Sequence, residues 1–329
     1  MIKKAVFTLI LFLLVLPGCH RSAKDKRKLA VELYVNAMVS RSGKLDDQAI
    51  ADLKNSVKVD PEFTLAHSMM GQIYKDSGQY ELAATSYEKA CALNRWSFTN
   101  HFSLGEVYFT LEKFEDAKNK FGRAVLIKPE HVQANFNLGA CYYETDDFAN
   151  ALKYYSRAAD LDPQNDLILS LMGDMQGLLE NPEAALASYR KSLDINPDQP
   201  KIMINMAKIY LSTGRYDPAN LLLKKAIELD NKDPYPHFCL GYIALQKDQP
   251  EKAWENYQEA LNLDGDNFQA LNGAAVSNIF MHYKDPKNLS KIKAAVNYWQ
   301  RSLAINPDQN DIKDKLAKYQ KILDDAPVE

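Results

Sequence analysis

Cysteine is scarce in this chain, and its four copies form no pattern. Cys91, Cys141 and Cys239 stand far apart with no CxxC pairing, and an odd number excludes a complete disulfide framework among them. Their expected role is that of small buried hydrophobes. Basic excess is absent too. The net charge is −3, which argues against a nucleic-acid surface, since such a surface normally shows a basic stripe. There is no P-loop, no GxGxxG after a strand and no GxSxG elbow. His67, His101 and His237 have no carboxylate or cysteine beside them at a ligand spacing such as HxxxH or CxxC. They are expected to pack between helices. Acids such as Glu88, Asp116 and Glu259 read as solvated outer faces. No catalytic constellation, metal site or cofactor is expected. The one long apolar run, Ala5 to Leu16, has 12 residues and is too short to span a bilayer.

What the chain does have is a beat. Ala49, Ala83, Ala117, Ala151, Ala185, Ala219 and Ala253 each follow the last by 34 residues. Gly71, Gly105, Gly139, Gly173 and Gly241 keep the same interval, with Ala207 in the gap, and Tyr74, Tyr108, Tyr142 and Tyr210 stand three residues further on. A second ring column holds Tyr87, Phe121, Tyr155, Tyr189, Leu223 and Tyr257, followed by Ala90, Ala124, Ala158, Ser192, Ala226 and Ala260. Pro61, Pro129, Pro163 and Pro197 close units. A period of this length predicts a stack of one small unit, not a domain with a single centre. Each unit reads as two helices with apolar residues at helical spacing. Small residues let the paired helices approach, a large ring covers the gap, and proline stops the second helix. In Asn181-Pro182 and Gln249-Pro250, proline instead opens a helix at its tolerated first turn.

This column set resembles the tetratricopeptide repeat, from about Leu29 to Gln309. The resemblance implies an all-α, right-handed superhelical solenoid of eight helix-turn-helix units plus a C-terminal capping helix. The units run about 29–63, 64–97, 98–131, 132–165, 166–199, 200–233, 234–267 and 268–309. In the eighth, eight additional residues near Lys284 to Lys291 precede Ala295, Trp299 and Pro307, and Tyr283-Lys284-Asp285-Pro286 reads as a lengthened inter-helix loop. Residues 310–329 are assigned to a cap and tail. Ile312, Leu316, Tyr319 and Leu323 share one face of that helix, and a stack must end in an element apolar inward and polar outward.

The start of the chain decides the expected compartment. Met1-Ile2-Lys3-Lys4, the apolar run and Pro17-Gly18 have the layout of an export signal. Leu16-Pro17-Gly18-Cys19 resembles the lipobox of bacterial lipoproteins, although Pro17 departs from the usual small or hydroxyl residue. Residues 1–18 are therefore expected to be a lipoprotein signal peptide, and Cys19 the site of lipid attachment. Residues 19–28 form a short basic tether. The expected location is the cell envelope, anchored by N-terminal acyl chains. His20 after the cysteine tilts the reading to the periplasmic face of the outer membrane if the cell is Gram-negative.

In the repeats this chain resembles, first-helix positions 2, 5, 9, 12 and 13 line the concave face. That implies a partner-binding groove of Phe102, Glu106, Phe109, Gln133, Phe136, Tyr143, Lys201, Lys208, Tyr235, Phe238, Tyr242 and Asn272, with Asn137 and Asn205 alongside. The lining is aromatic with scattered amides, which suits an amphipathic helix or extended apolar peptide. The expected function is a membrane-anchored interaction scaffold or assembly factor of the bacterial cell envelope. It is not expected to be an enzyme or to bind nucleic acid. Its protein or peptide partner is not named by the sequence. The alternative is a soluble cytosolic co-chaperone or regulatory adaptor.

Overall fold

The fold is taken from a computed structural model, which describes residues 22–326. The expected signal peptide, lipobox and Cys19 lie outside the described residues. Within them the chain forms seventeen α-helices and no strand. It divides into two compact units, one up to Asp162 and the other from Pro163.

The first unit contains α1 (Ala23–Ser42), α2 (Asp46–Val59), α3 (Thr64–Asp76), α4 (Tyr80–Leu93), α5 (Phe98–Thr110), α6 (Phe114–Ile127), α7 (Val132–Glu144) and α8 (Phe148–Leu161). The second contains α9 (Asp166–Leu178), α10 (Pro182–Ile195), α11 (Pro200–Ser212), α12 (Tyr216–Leu229), α13 (Pro234–Gln246), α14 (Pro250–Leu263), α15 (Phe268–Lys284), α16 (Leu289–Ile305) and α17 (Asn310–Asp324). In both units every odd-numbered helix from α1 to α15 packs on the helix that follows it, and α17 packs on α16. Consecutive helix pairs are the architecture of a tetratricopeptide-repeat α-solenoid. No described helix is long and apolar enough to cross a membrane.

Local chemistry fixes the helix ends. Ser97, Asn165 and Asn267 are N-caps whose side chains accept from the backbone N–H three residues on. Pro182, Pro200, Pro234 and Pro250 occupy first turns, where the missing N–H has no intrahelical partner to lose. In seven of the eight pairs the turn carries one residue in the left-handed region: Lys44, Gly78, Glu112, Asp146, Glu180, Gly214 and Asp248, with φ between 54° and 73°. These too recur every 34 residues. Five of the seven are not glycine, so the turn carries steric strain that only its two glycines relieve.

The ring column packs as its spacing predicts. A Cβ added at Gly173 would lie 2.5 Å from the Tyr189 ring, and one added at Gly105 would lie 2.8 Å from Phe121. In the sixth repeat Ala207 supplies a real methyl group, and the facing residue is Leu223 in place of a ring; both are fully buried. The pair changes together because the volume between the helices is fixed. Ser56, Ser192 and Ser302 stand in for alanine further along. Each donates its hydroxyl to a carbonyl near the start of its own hairpin, at Ala30 (2.7 Å), Asp166 (2.9 Å) and Phe268 (3.3 Å).

The lengthened loop read into the eighth repeat is not a loop. α15 and α16 have 17 residues each, where the other pairs of the second unit have 13 and 14. Four of the eight added residues extend α15, three extend α16, and one joins the turn. Tyr283 and Lys284 are helical. The helix continues through Ile279, His282 and Tyr283, and Pro286 lies in the turn beyond it. At the end of the second unit, α17 turns Ile312 and Tyr319 onto Trp299, and all three are buried.

Candidate functional site

In the first unit, the residues expected to line a groove come from α5 and α7. Phe98 and Phe102, one turn apart on α5, stack with centroids 5.5 Å apart. Phe102 also meets Phe121 edge-on at 5.7 Å and His131 at 5.4 Å. It is half-buried and packs against the core of the first unit. Further along the same face, Glu106, Phe109, Phe136 and Asn137 surround a cavity of about 210 Å³. Phe121 of α6 forms its floor, and Thr110 and Ala140 complete the wall. Phe136 is braced by Tyr155 (5.6 Å) and Phe109 by Phe114 (5.3 Å). Gln133 donates to the Asn137 side-chain oxygen (2.7 Å), and Asn137 lines the cavity. Glu106 is paired with Lys75 from the preceding hairpin. Tyr143, 43 % exposed, leans on Phe148.

The expected residues of the second unit are arranged differently. Lys208 sits over the Tyr235 ring, 4.7 Å from its centroid, a cation–π contact. Tyr235 and Phe238 are 6.1 Å apart, and Phe238 rests on buried Tyr257 at 5.9 Å. Asn205 donates to Asp174 (3.2 Å), which also accepts from the Tyr189 hydroxyl (2.6 Å). Asn272 donates to Gln309 (2.7 Å). Tyr242 meets Tyr216 at 6.3 Å, and Lys201 is exposed. Most of these side chains are engaged by neighbours within the unit.

Titratable groups follow burial. The Cys91, Cys141 and Cys239 thiols are free and buried, and desolvation pushes them up to about 11, 12 and 11. Burial holds His101 and His237 below the ordinary imidazole range. His67 and His101 use Nε2 alike, each bonding the carbonyl six residues earlier, Pro61 (3.0 Å) and Arg95 (3.1 Å). These contacts tie the helix to the loop before it. Among the described residues no cluster of His, Cys, Asp and Glu has the makings of a metal site. Phe121, whose column belongs to the core, lines the cavity of the first unit but lies outside the expected set. The second unit holds a cavity of about 250 Å³ that includes none of the expected residues. The available signal was Ala244, which stands where the column of Tyr74, Tyr108, Tyr142 and Tyr210 next falls due.

The architecture and the repeat columns define a tetratricopeptide-repeat protein. The chain belongs to the family described as cilia and flagella-associated protein 70 C-terminal domain, whose model matches residues 26–279. No curated protein matches it. Among solved structures it is similar to YrrB, described as a TPR protein with an unusual peptide-binding site, at 19 % identity and TM-score 0.52, over 57 % of this chain and 97 % of that one. It is also similar to MamA (21 % identity, TM-score 0.50, 52 % and 94 % covered). A third is pilF of Pseudomonas aeruginosa (19 % identity, TM-score 0.50, 63 % and 94 % covered). At these identities the likeness is one of fold.

Proposed function

We propose that this protein is a non-catalytic scaffold, tethered to a membrane of the bacterial cell envelope by acyl chains on Cys19, that holds a partner polypeptide against the first-helix face of its repeats. The observation that carries the partner-binding half is the cavity among Phe109, Phe121 and Phe136, with Glu106 and Asn137 at its edge. Apolar walls favour burial of one large apolar side chain, at about 25 cal/mol per Å² removed from water. The Asn137 amide supplies a donor to a peptide carbonyl beside it. A pocket for one side chain flanked by a polar group is how a groove reads an extended or helical segment. The anchoring half rests on Leu16-Pro17-Gly18-Cys19 and on the basic residues Arg21, Lys24, Lys26, Arg27 and Lys28 that follow. Several acyl chains hold a protein stably where one is marginal.

Two measurements test the two halves separately. A displayed peptide library is selected on the full chain. The expected binders share one large apolar residue and lose at least tenfold in affinity against the Phe109→Ala, Phe136→Ala double variant, with circular dichroism unchanged. Equal affinity for that variant would remove the cavity from the interface. Radiolabelled palmitate is expected to label the wild type in a bacterial host and not Cys19→Ala. An unlabelled wild type points instead to the soluble adaptor.

A further inference from the structure

One slot recurs along the repeats, and a ring occupies it. Tyr108 is buried there and donates to Glu88 of the preceding hairpin. Tyr142 lies parallel to Tyr154 of its own hairpin (5.4 Å), with Lys118 of the preceding one 5.3 Å above the ring. Tyr210 accepts from Arg190 (2.8 Å), and the Arg215 guanidinium lies 4.5 Å from its ring. Where the column lacks tyrosine, polar side chains take the space: Gln176 bonds Ser188 (2.7 Å) and Asn278 donates to the Ala274 carbonyl (2.9 Å). Ala244 is the exception. Its side chain stops at a methyl group packed on the core, and the 250 Å³ cavity lies beside it.

The walls are those that hold a ring elsewhere. Lys224 occupies the column of Glu88 and Arg190, Asn220 that of Lys118, and Asn256 that of Tyr154. Leu240, Ile243 and Ala244, all buried, make an apolar floor. Lys224, Lys247 and Lys252 line it with positive charge, and no carboxylate does. Lys247 pairs with exposed Asp217 at the rim (2.5 Å). Among the described residues neither Lys224 nor Lys252 has an ion-pair partner. A cavity of about 150 Å³ lined by apolar groups is known to take a benzene ring, so this one has room for a ring and a substituent. Ammonium groups around a desolvated floor favour an anionic substituent, through charge-assisted hydrogen bonds.

We propose that the vacant tyrosine slot between α12, α13 and α14 binds an aromatic ring carrying an anionic group. Two sources share that chemistry: a free aryl phosphate or carboxylate, and the C-terminal aromatic residue of a polypeptide with its own carboxylate. The site is separate from the apolar cavity of the first unit and does not depend on it.

Titration calorimetry on the full chain with phenyl phosphate, inorganic phosphate and benzyl alcohol tests the pairing of ring and charge. Phenyl phosphate is expected to saturate at one site and to bind at least tenfold more tightly than either fragment. A short peptide ending in phenylalanine, compared with its C-terminal amide, separates the two sources. Preference for the free acid assigns the site to a chain terminus, and binding of phenyl phosphate alone assigns it to a free aryl anion. Ala244→Tyr restores the column residue. It is expected to abolish binding while keeping or raising the melting temperature, because it fills the slot as Tyr210 does. Lys224→Gln with Lys252→Gln is expected to weaken phenyl phosphate at least fivefold and to leave benzyl alcohol unchanged. Phenyl phosphate binding that survives Ala244→Tyr, or that inorganic phosphate matches, overturns the proposal. If Ala244→Tyr does not fold, unchanged affinity in the lysine double variant overturns it.

Discussion

The first and second units use the same repeat to different ends. In the first, α5 and α7 direct rings and one amide toward open space, and Phe109 and Phe136 flank a cavity. In the second, the equivalent helices direct Lys208 onto the Tyr235 ring, and Asn205 and Asn272 donate to Asp174 and Gln309. The second unit opens elsewhere, at Ala244, on the side where second helices contribute. The repeat columns specify a frame. Whether a given face is open depends on the residues between the columns and on whether they find partners within the unit.

The largest expected effect breaks the symmetry of the two units. Trp299 is 1 % exposed and anchors the last hairpin of the second unit. Trp299→Ala is expected to cost about 3–5 kcal/mol. Hydrogen exchange should show the loss concentrated in the second unit, with α3 to α6 retaining protection. Loss spread evenly would mean that the two units unfold as one.

A smaller effect sharpens the ring-and-gap rule. Gly173→Ala drives a methyl group into Tyr189 and is expected to cost about 1–3 kcal/mol. Adding Tyr189→Leu, which copies the Ala207 and Leu223 pair, is expected to recover part of it, as read from denaturant midpoints. Additive losses would show that the two positions do not share a volume.

The turn column offers a gain where the others offer losses. Glu112 and Glu180 hold left-handed φ of 57°. Replacing either with glycine removes a steric cost of roughly 1–2 kcal/mol but adds freedom to the unfolded chain. A net stabilisation below about 1 kcal/mol is expected. A drop in melting temperature would show that the carboxylates make contacts worth more than the strain.

The smallest effect depends on pH. His101 and His237 have depressed imidazole values in the folded state. Stability from their neutral forms is present above the unfolded value, near 6.5, and is lost as pH falls below it toward the folded values. Unfolding midpoints between pH 7 and pH 5 should fall in the wild type, and less steeply in a His101→Gln, His237→Gln chain. Parallel slopes would assign the acid sensitivity to other groups.

The helices and their pairing were legible because the signals were periodic. Alanine, glycine, ring and proline columns repeat, and each has one mechanical reason to do so. The cavity of the first unit was legible only in part. Position within the repeat pointed to Phe109, Phe136 and Asn137 but gave no sign that Lys208 would settle on Tyr235 or Asn205 on Asp174. Those contacts join residues about one repeat apart, and their geometry depends on how neighbouring hairpins sit. The eighth repeat misled for a local reason. Pro286 marks a turn correctly, but the residues before it continue a helix that the other repeats end a turn earlier.

That longer hairpin has a geometric consequence. Four extra residues at 1.5 Å each place the turn at Asp285 about 6 Å further along the helix axis than an ordinary pair would. Tyr283 there bonds Tyr319 of the terminal helix through their hydroxyls (2.5 Å), so the projection is buttressed. A run of near-identical steps thus acquires one raised tread, and the second unit's two ends can be told apart by shape alone.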